Sequence, residues 1–175
     1  IEEINEPFDS LFTQGMVCHH TFQNESNAWV YPDDVEKKDS KYFQISKGEP
    51  VTMGEIESMS KSKKNVIDPE SIISAYGADS ARWFMLSDSP PEKDINWTDS
   101  GINGAWKICQ KIWAIVQNNR ENLKQTTNSN DKTYSGKSLD FMKIIHQNLN
   151  AITQSIEKFQ MNVSIAKVFE MVNAI

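Results

Sequence analysis

The sequence predicts an α+β chain in which a small β-rich part precedes an antiparallel α-helical bundle. Short strand-like runs separated by polar clusters fill residues 13–52. A lysine- and serine-rich loop follows, and beyond it come helix start signals and three amphipathic patterns with apolar residues three and four positions apart. Because these amphipathic segments have short connections, an up-and-down bundle is the economical arrangement.

The β-rich part is predicted from three strand-like runs, Gly15 to His20, Ala28 to Tyr31 and Lys41 to Ile45. The polar residues 23–27 separate the first two runs and are typical of a turn. Short runs bounded in this way favour strands. We therefore expect a small sheet ahead of the loop.

Two short helices are predicted directly after the loop. Asp68 is suited to cap the first helix, because its carboxylate can accept hydrogen bonds from free amides, and Pro69 fits the first helical position. This helix is expected to run to about Tyr76, where Gly77 supplies a left-handed stop. A second helix should cover residues 78–86 and end before a pair of prolines.

A long helix is predicted at about residues 99–124, and its apolar stripe is expected to seek helical partners. Trp106 and Trp113 belong to this stripe, so we expect them in a core rather than stacked on RNA bases. The full stripe comprises Ile102, Trp106, Cys109, Trp113 and Val116. Residues 126–138 are polar and turn-rich, which predicts a linker. Two further amphipathic helices should follow, the second of them capped by Asn162.

Length and composition narrow the class of protein. The chain has 175 residues, enough for one core or two small ones but short for an enzyme. It begins at Ile1, and its last apolar pattern stops without a capping signal, so we expect a piece of a longer protein. No apolar run approaches the roughly 20 residues of a membrane span, and residues 1–11 lack a signal-peptide pattern, so a cytoplasmic location is expected.

Charge is distributed unevenly along the chain. The formal net charge is −6, but residues 1–57 carry 12 acids and 4 lysines, whereas residues 58–175 carry 12 acids and 14 bases. If RNA is bound, the second part is therefore the favoured side, since phosphates need clustered cations. Two distant cysteines, Cys18 and Cys109, predict reduced thiols rather than a disulfide framework.

The loop at residues 59–65, MSKSKKN, carries the strongest chemical signal. It packs three ammonium groups and two hydroxyls ahead of a capped helix, a composition suited to phosphate. Lysine donates to phosphate as a mobile point charge, and serine hydroxyls add neutral donors. Taken alone, such a run is more often a solvated basic loop.

The residues around the loop carry a family resemblance. Residues 54–69, GEIESMSKSKKNVIDP, closely resemble the second signature of the class I aminoacyl-tRNA synthetases, the KMSKS loop. Residues 76–82 are similar to the helix that supports this loop, and residues 90–97 to its junction with the tRNA-binding bundle. The leucyl members, bacterial ones in particular, also resemble this chain at residues 11–17, 101–106 and 162–166.

The resemblance implies a domain organisation. Residues 1–12 would form the edge of the catalytic domain, and residues 13–56 the small β-rich insertion that the leucyl family places before the loop. Residues 57–97 would form the KMSKS loop and stem-contact region. Residues 98–175 would form a truncated tRNA-binding helical bundle.

The resemblance also implies a reaction. ATP, with Mg²⁺, and leucine would form an aminoacyl adenylate, and the leucine would then pass to tRNA(Leu). Lys61 occupies the family's ATP-contacting position, with Ser60 and Ser62 beside it as catalytic residues that shape the loop or touch phosphate. Met59 is expected near the adenine, and Lys63 also on the ATP side.

One position departs from the family signature. Ser58 stands where the family has its first lysine, so one expected cation is missing from the loop. Lys63 or Lys64 is a candidate substitute. The chain has no HIGH-type signature and nothing resembling an editing domain, so alone it should be inactive. We expect a monomer that does not bind membranes.

Two groups of alternatives stay open at this point. The substrate could instead be that of an isoleucyl, valyl or methionyl relative, or the chain could be a non-catalytic RNA-binding helical module. Among single features, Cys18, His19 and His20 invite a zinc hypothesis, but neighbours on a strand point to opposite faces and structural packing is favoured, so no metal site is predicted.

Two RNA-binding features are weighed on the helical side. Trp97 is the tryptophan considered for stacking on RNA bases. A set of basic residues is suited to a phosphate-contacting face, although a solvated face is slightly favoured. These are Arg82, Lys107, Lys111, Arg120 and Lys124.

Overall fold

The computed structural model describes residues 8–125 and 134–175. The expectations for residues 1–7 of the catalytic edge and for residues 126–133 of the linker lie outside these ranges. The described residues form α+β structure with one mixed five-stranded sheet and six α-helices. No helix within these ranges combines the length and the apolar composition that crossing a membrane requires.

The strands come first along the chain. They are β1 (Val17–Asn24), β2 (Val35–Lys38), β3 (Lys41–Gln44), β4 (Pro50–Ser58) and, after two helices, β5 (Ile95–Asn96). The helices are α1 (Pro69–Tyr76), α2 (Ala78–Ser87), α3 (Asp99–Asn118), α4 (Arg120–Gln125), α5 (Lys137–Glu157) and α6 (Met161–Ala174). A short 3-10 helix (Pro32–Asp34) precedes β2.

The sheet has the strand order β2-β3-β4-β1-β5 and is antiparallel except between β1 and β5, which run parallel. Strand β1 therefore joins two parts of the chain. On one side it pairs with β4, which leads into the lysine- and serine-rich loop. On the other it pairs with β5, which leads into α3.

The sequence-based prediction of the strands was only partly correct. Residues 28–31 do not form a strand and contribute only an isolated bridge between Gln23 and Trp29. Strands β2, β4 and β5 were missed. Strand β4 contains Gly54 and two acids, Glu55 and Glu57, and lacks the apolar alternation that predicts strands; most of its residues are exposed. Its backbone pairing with β1 and β3 determines its structure instead.

The predictions for α1 and α2 were largely confirmed. The Asp68 carboxylate accepts hydrogen bonds from the amides of Glu70 and Ser71, at 3.2 and 3.1 Å, and Pro69 begins the helix. Gly77 does end α1, but its φ of 84° and ψ of 153° are not left-handed helical values. This conformation is accessible essentially to glycine alone, and it lets α2 begin at the next residue.

The prediction for the long helix was wrong in two respects. The helix ends at Asn118, and α4 begins at Arg120. The buried face of α3 consists of Ile102, Ala105 and Ile108, whereas Trp113 is 66% exposed and Trp106 is 37% exposed. The reason is that α3 packs mainly on α2. Helix α2 covers the face with Ala105 and Ile108, which lies beside the predicted stripe around the helix.

The last two helices pack against each other, and α6 also packs on α2. Asn162 does not cap α6, because the helix begins one residue earlier, at Met161, without a side-chain cap. Phe159 adopts a positive φ of 56°, and the Gln160 amide donates to the Ser155 carbonyl at 2.8 Å. The chain therefore reverses through its backbone, which a capping rule based on side chains does not detect.

The core that positions the loop lies between the sheet and the first helices. Its buried members are Phe84, Ile95, Trp97, Ile102 and Ala105. The rings of Phe84 and Trp97 meet edge to face, with centroids 5.0 Å apart. A second, smaller cluster of Phe22, Val30 and Val51 lies within the β-rich part.

Two glycines of α3 give a matched prediction about packing. A Cβ added to Gly104 would meet nothing within 4 Å, so Gly104→Ala should stabilise the chain by about 1 kcal/mol through helix propensity. A Cβ at Gly101 would clash with the Phe84 ring and lie 2.8 Å from the Thr98 hydroxyl, which caps the helix. Gly101→Ala should therefore destabilise by about 1–3 kcal/mol. Urea unfolding of the 175-residue chain measures both, and two changes of the same sign would contradict this packing.

Candidate functional site

The lysine–serine loop, residues 59–65, connects β4 to the segment that caps α1. Its first residue continues the pairing of the sheet, since the Met59 amide donates to the Val17 carbonyl at 2.9 Å. The loop turns at residues 61–64, where the Lys64 amide donates to the Lys61 carbonyl at 3.4 Å and Lys64 adopts a positive φ of 54°. The loop is thus a tight reversal held at the end of a strand.

The two serines of the loop contact one another. The hydroxyl oxygens of Ser60 and Ser62 lie 3.2 Å apart, and the Ser60 hydroxyl accepts a hydrogen bond from the Lys63 amide at 3.3 Å. Ser62 is exposed, whereas Ser60 is half-buried. In this conformation Ser60 supports the turn, and Ser62 is the hydroxyl more open to a bound group.

The three lysines of the loop have different surroundings. Lys63 forms an ion pair with Glu57 of β4. The Lys64 ammonium lies over the Tyr31 ring, 5.3 Å from its centroid. Lys61 is exposed and has no ion pair or hydrogen bond from its side chain within residues 8–125 and 134–175. Lys61 is therefore the loop cation best placed to meet an incoming anion.

The Asn65 side chain links the two ends of the loop. It is fully buried, and its carbonyl oxygen accepts the Ser60 amide at 2.8 Å. Its amide nitrogen lies within hydrogen-bond distance of the backbone carbonyls of Glu57, Ser58 and His19. In the sequence, Asn65 is recognised only as part of the signature. Its neighbours are lysines and serines, so the local pattern does not indicate that Asn65 is buried.

Met59 faces apolar neighbours. It packs against the core beside Val17, Ile67 and Trp97, at a cleft of about 270 Å³. That cleft is almost entirely apolar in its lining, so the loop has a polar outer side and an apolar inner side. The expectation that Met59 lies near an adenine stays a prediction.

The start of α1 offers no free amide from Glu70 or Ser71 to an anion. The Asp68 carboxylate already accepts the amides of Glu70 and Ser71. A bound anion would have to displace a carboxylate of the same charge. The loop lysines and serines, rather than the helix start, therefore stay the predicted anion-binding groups.

The segment Cys18-His19-His20 lies on β1, with its side chains engaged locally. Cys18 is buried and free, and its sulfur lies 3.9 Å from the Ser58 hydroxyl. The Nδ1 atoms of His19 and His20 lie 3.0 Å from the carbonyls of His20 and Gly54, respectively. In the described part of the chain no group of three or more His, Cys, Asp or Glu side chains is placed to hold a metal ion.

Burial lowers the pKa of His19 below its ordinary 6.5, despite the opposing hydrogen bond to the His20 carbonyl. The unfolded chain therefore takes up this proton at a higher pH than the folded chain does. Above pH 6.5 His19 is neutral in both states, and its full stabilising contribution to the free energy of unfolding should be present. This contribution should decrease as the pH falls from 6.5 towards the lowered pKa of the folded state.

This dependence can be isolated by comparing the chain with its His19→Gln variant in urea unfolding at pH 5.0, 6.0 and 7.5. The free energy of unfolding of the unchanged chain, minus that of the His19→Gln variant, should increase as the pH rises. A difference that is independent of pH would show that His19 titrates alike in the folded and unfolded states.

Two features considered for RNA binding have different outcomes. Trp97 is only 9% exposed, so its faces are not open to a base and the stacking hypothesis was wrong. Among the basic residues, Arg82 pairs with Asp79, Lys124 with Glu121, and the Lys111 ammonium donates to Asn173 at 2.7 Å. Lys107 and Arg120 are exposed. A continuous phosphate-binding face is therefore not preformed in this arrangement.

Comparison with known proteins places the chain in a family. The profile of the tRNA synthetases class I (I, L, M and V) matches residues 37–98. A leucine–tRNA ligase of Parvibaculum lavamentivorans is 46% identical over 98% of this chain, and one of Brucella anthropi is 47% identical over 97%. The chain spans about 20% of the length of these relatives.

Solved structures share the fold. The ternary complex of LeuRS, tRNA and LeuAMS from Agrobacterium radiobacter K84 matches 98% of this chain and 18% of its own, with a TM-score of 0.70 and 23% identity. Methionyl-tRNA synthetase of Mycobacterium tuberculosis, bound to methionyl-adenylate, matches 90% of this chain and 59% of its own, with a TM-score of 0.55 and 10% identity. The high identity to curated relatives over nearly the whole chain shows that it belongs to the leucine–tRNA ligase family of class I tRNA synthetases.

Proposed function

We propose that the protein containing this chain activates leucine with ATP and transfers it to tRNA(Leu). The observation that carries this proposal is identity of 40–47% to leucine–tRNA ligases over at least 97% of the chain. Because the chain spans only about a fifth of those relatives, the activity belongs to the longer protein and the chain supplies one part of the site.

The proposed part is the loop that binds ATP during activation. When the adenylate forms, negative charge accumulates on the departing pyrophosphate. A cation that approaches more closely in the transition state than in the bound substrate lowers the barrier. The exposed ammonium of Lys61 supports this role, with Ser62 as a neighbouring donor and Ser60 holding the turn.

The serine at position 58 makes Lys61 more important in this proposal. Lys63, a candidate substitute for the missing lysine, is paired with Glu57, and Lys64 lies over Tyr31. Both cations would have to give up these contacts to reach ATP. Lys61 has no such contact to lose among the described residues, so we assign it the principal contact with phosphate.

Mg²⁺ is proposed only as the companion of ATP. The described residues offer no cluster of His, Cys, Asp or Glu side chains suited to a metal, and the Glu57 carboxylate beside the loop is paired with Lys63. We therefore assign no Mg²⁺ ligand to these residues. The chemistry that Mg²⁺ supplies, neutralising phosphate charge, is additional to that of Lys61.

The finer organisation belongs to the same proposal. Residues 13–56 would be the leucyl-specific insertion, residues 57–97 the loop and stem-contact region, and residues 98–175 part of an antiparallel tRNA-binding bundle. Helix α5 packs on α6, and α6 packs on α2. Because Phe84 of α2 belongs to the core against which Met59 packs, these contacts support a bundle anchored beside the ATP loop. We further propose a cytoplasmic monomer.

A charging assay tests the proposal. The intact protein should attach leucine to tRNA(Leu), whereas isoleucine, valine and methionine should be accepted far more weakly. It should also bind a non-hydrolysable leucyl-adenylate analogue. Charging with another amino acid would overturn the substrate, and tRNA binding without adenylate binding or charging would favour a non-catalytic RNA-binding module.

A further inference from the structure

The fully buried Asn65 side chain forms a junction between three backbone segments. Its carbonyl oxygen accepts the Ser60 amide at 2.8 Å, which closes the loop on itself. Its amide nitrogen contacts the carbonyls of Glu57 at 3.1 Å and Ser58 at 3.4 Å, at the end of β4. The same nitrogen reaches the His19 carbonyl on β1 at 3.3 Å.

We propose that Asn65 is a positioning residue for leucine activation, because it fixes both ends of the loop that presents Lys61 to ATP. This inference rests on the proposed function. Lys61 lies between Ser60 and Asn65, so the hydrogen bond between these two residues limits where its backbone can move. Placement of a reacting group matters strongly, since an error of about 1 Å can cost a large factor in rate.

Strand β1 gives Asn65 a fixed reference. The Val17 carbonyl accepts the Met59 amide, the Cys18 carbonyl accepts the Trp97 amide at 2.8 Å, and the His19 carbonyl faces Asn65. Consecutive residues of β1 thus contact the start of the loop, the core beside β5 and the end of the loop. Asn65 completes this attachment by tying the far end of the loop to the strand that already carries its beginning.

A purely structural role would have a different signature. Gln44 is also a buried amide, 9% exposed, and its nitrogen donates to Asp34 and Ser46. Asp34 ends the 3-10 helix and Ser46 follows β3, and among the described residues no hydrogen bond joins either of them to residues 59–65. Loss of Gln44 should therefore affect stability without selectively slowing activation, which makes Gln44→Ala a matched control.

The test uses the intact protein and separates the two chemical steps. Asn65→Asp keeps the size and the acceptor for the Ser60 amide but removes the amide donors, whereas Asn65→Ala removes both. The measurements are kcat and KM for leucine-dependent ATP–pyrophosphate exchange, and the single-turnover rate of leucine transfer from preformed leucyl-adenylate to tRNA.

Both Asn65 variants should lower kcat for activation about ten-fold, with KM for ATP changed less than about three-fold, as for an interaction made mainly in the transition state. In the Asn65 variants, the rate of transfer from the preformed adenylate should stay within about two-fold of that of the unchanged protein. In Gln44→Ala, the rates of both activation and transfer should stay within the same range. Equal loss of activation and transfer would mean that Asn65 only maintains the fold and would overturn the inference.

A double variant tests the connection to Lys61. If Asn65 acts by placing Lys61, then Asn65→Asp combined with Lys61→Ala should activate leucine no more slowly than Lys61→Ala alone. Additive losses would overturn the inference. If the unchanged protein shows no leucine-dependent exchange, the proposed function itself fails. If the unchanged protein activates leucine and the Asn65 variants do so at the same rate, only the inference about Asn65 fails.

Discussion

Lys61→Ala is expected to lower kcat for leucine activation by about 10- to 150-fold, the equivalent of a charge-assisted hydrogen bond of about 1.5–3 kcal/mol. The reason is that Lys61 is the loop lysine without an ion pair or ring contact in the described part of the chain. Because the charge on the pyrophosphate grows as the bond breaks, the effect should appear in kcat more than in KM for ATP.

The measurement is the initial rate of leucine-dependent ATP–pyrophosphate exchange by the intact protein over a range of ATP concentrations. Lys47→Ala removes an equally charged, exposed lysine outside the loop and should leave the rate unchanged. A loss confined to KM would mean that Lys61 binds ATP equally in the ground and transition states. An unchanged rate would transfer the role to Lys63 or Lys64.

Ile102→Ala should cost about 2–5 kcal/mol of the free energy of unfolding, the largest effect on stability expected here. Ile102 is 0% exposed and belongs to the cluster with Phe84, Ile95, Trp97 and Ala105. This cluster joins α2, β5 and α3, so a cavity there has well-packed walls that cannot easily collapse onto it.

Urea unfolding of the 175-residue chain measures this cost. Ile45→Ala deletes the same atoms from a side chain that is 55% exposed and should cost less than about 1 kcal/mol. Equal losses in the two variants would contradict the assignment of the core to the junction of α2, β5 and α3.

Local signals in the sequence predicted the short helices well and the packing between helices poorly. Asp68, Pro69 and Gly77 act through their own backbone neighbours, so their effect is visible in sequence. The buried face of α3 depends on where α2 lies, which periodicity does not encode. The apolar spacing from Ile102 to Val116 therefore predicted a stripe whose two tryptophans the fold leaves exposed.

A similar division holds for the site. The family resemblance assigned roles to Met59, Ser60, Lys61, Ser62 and Lys63, and the residue types of the lysines and serines independently indicated a phosphate-binding composition. It did not show that Lys63 is paired with Glu57, since that contact depends on the turn bringing the loop back towards β4. The sequence also did not show that Asn65 is buried, because its burial depends on the loop folding back against His19 of β1.

Activation of leucine by the intact protein is tested most directly by ATP–pyrophosphate exchange, with leucine, isoleucine, valine and methionine offered separately. Exchange should depend on leucine, be far weaker with the other three amino acids, and collapse in Lys61→Ala. Exchange with leucine that is indifferent to Lys61→Ala would contradict the role of the loop. Absence of exchange with all four amino acids, from a folded and intact protein, would contradict the claim altogether.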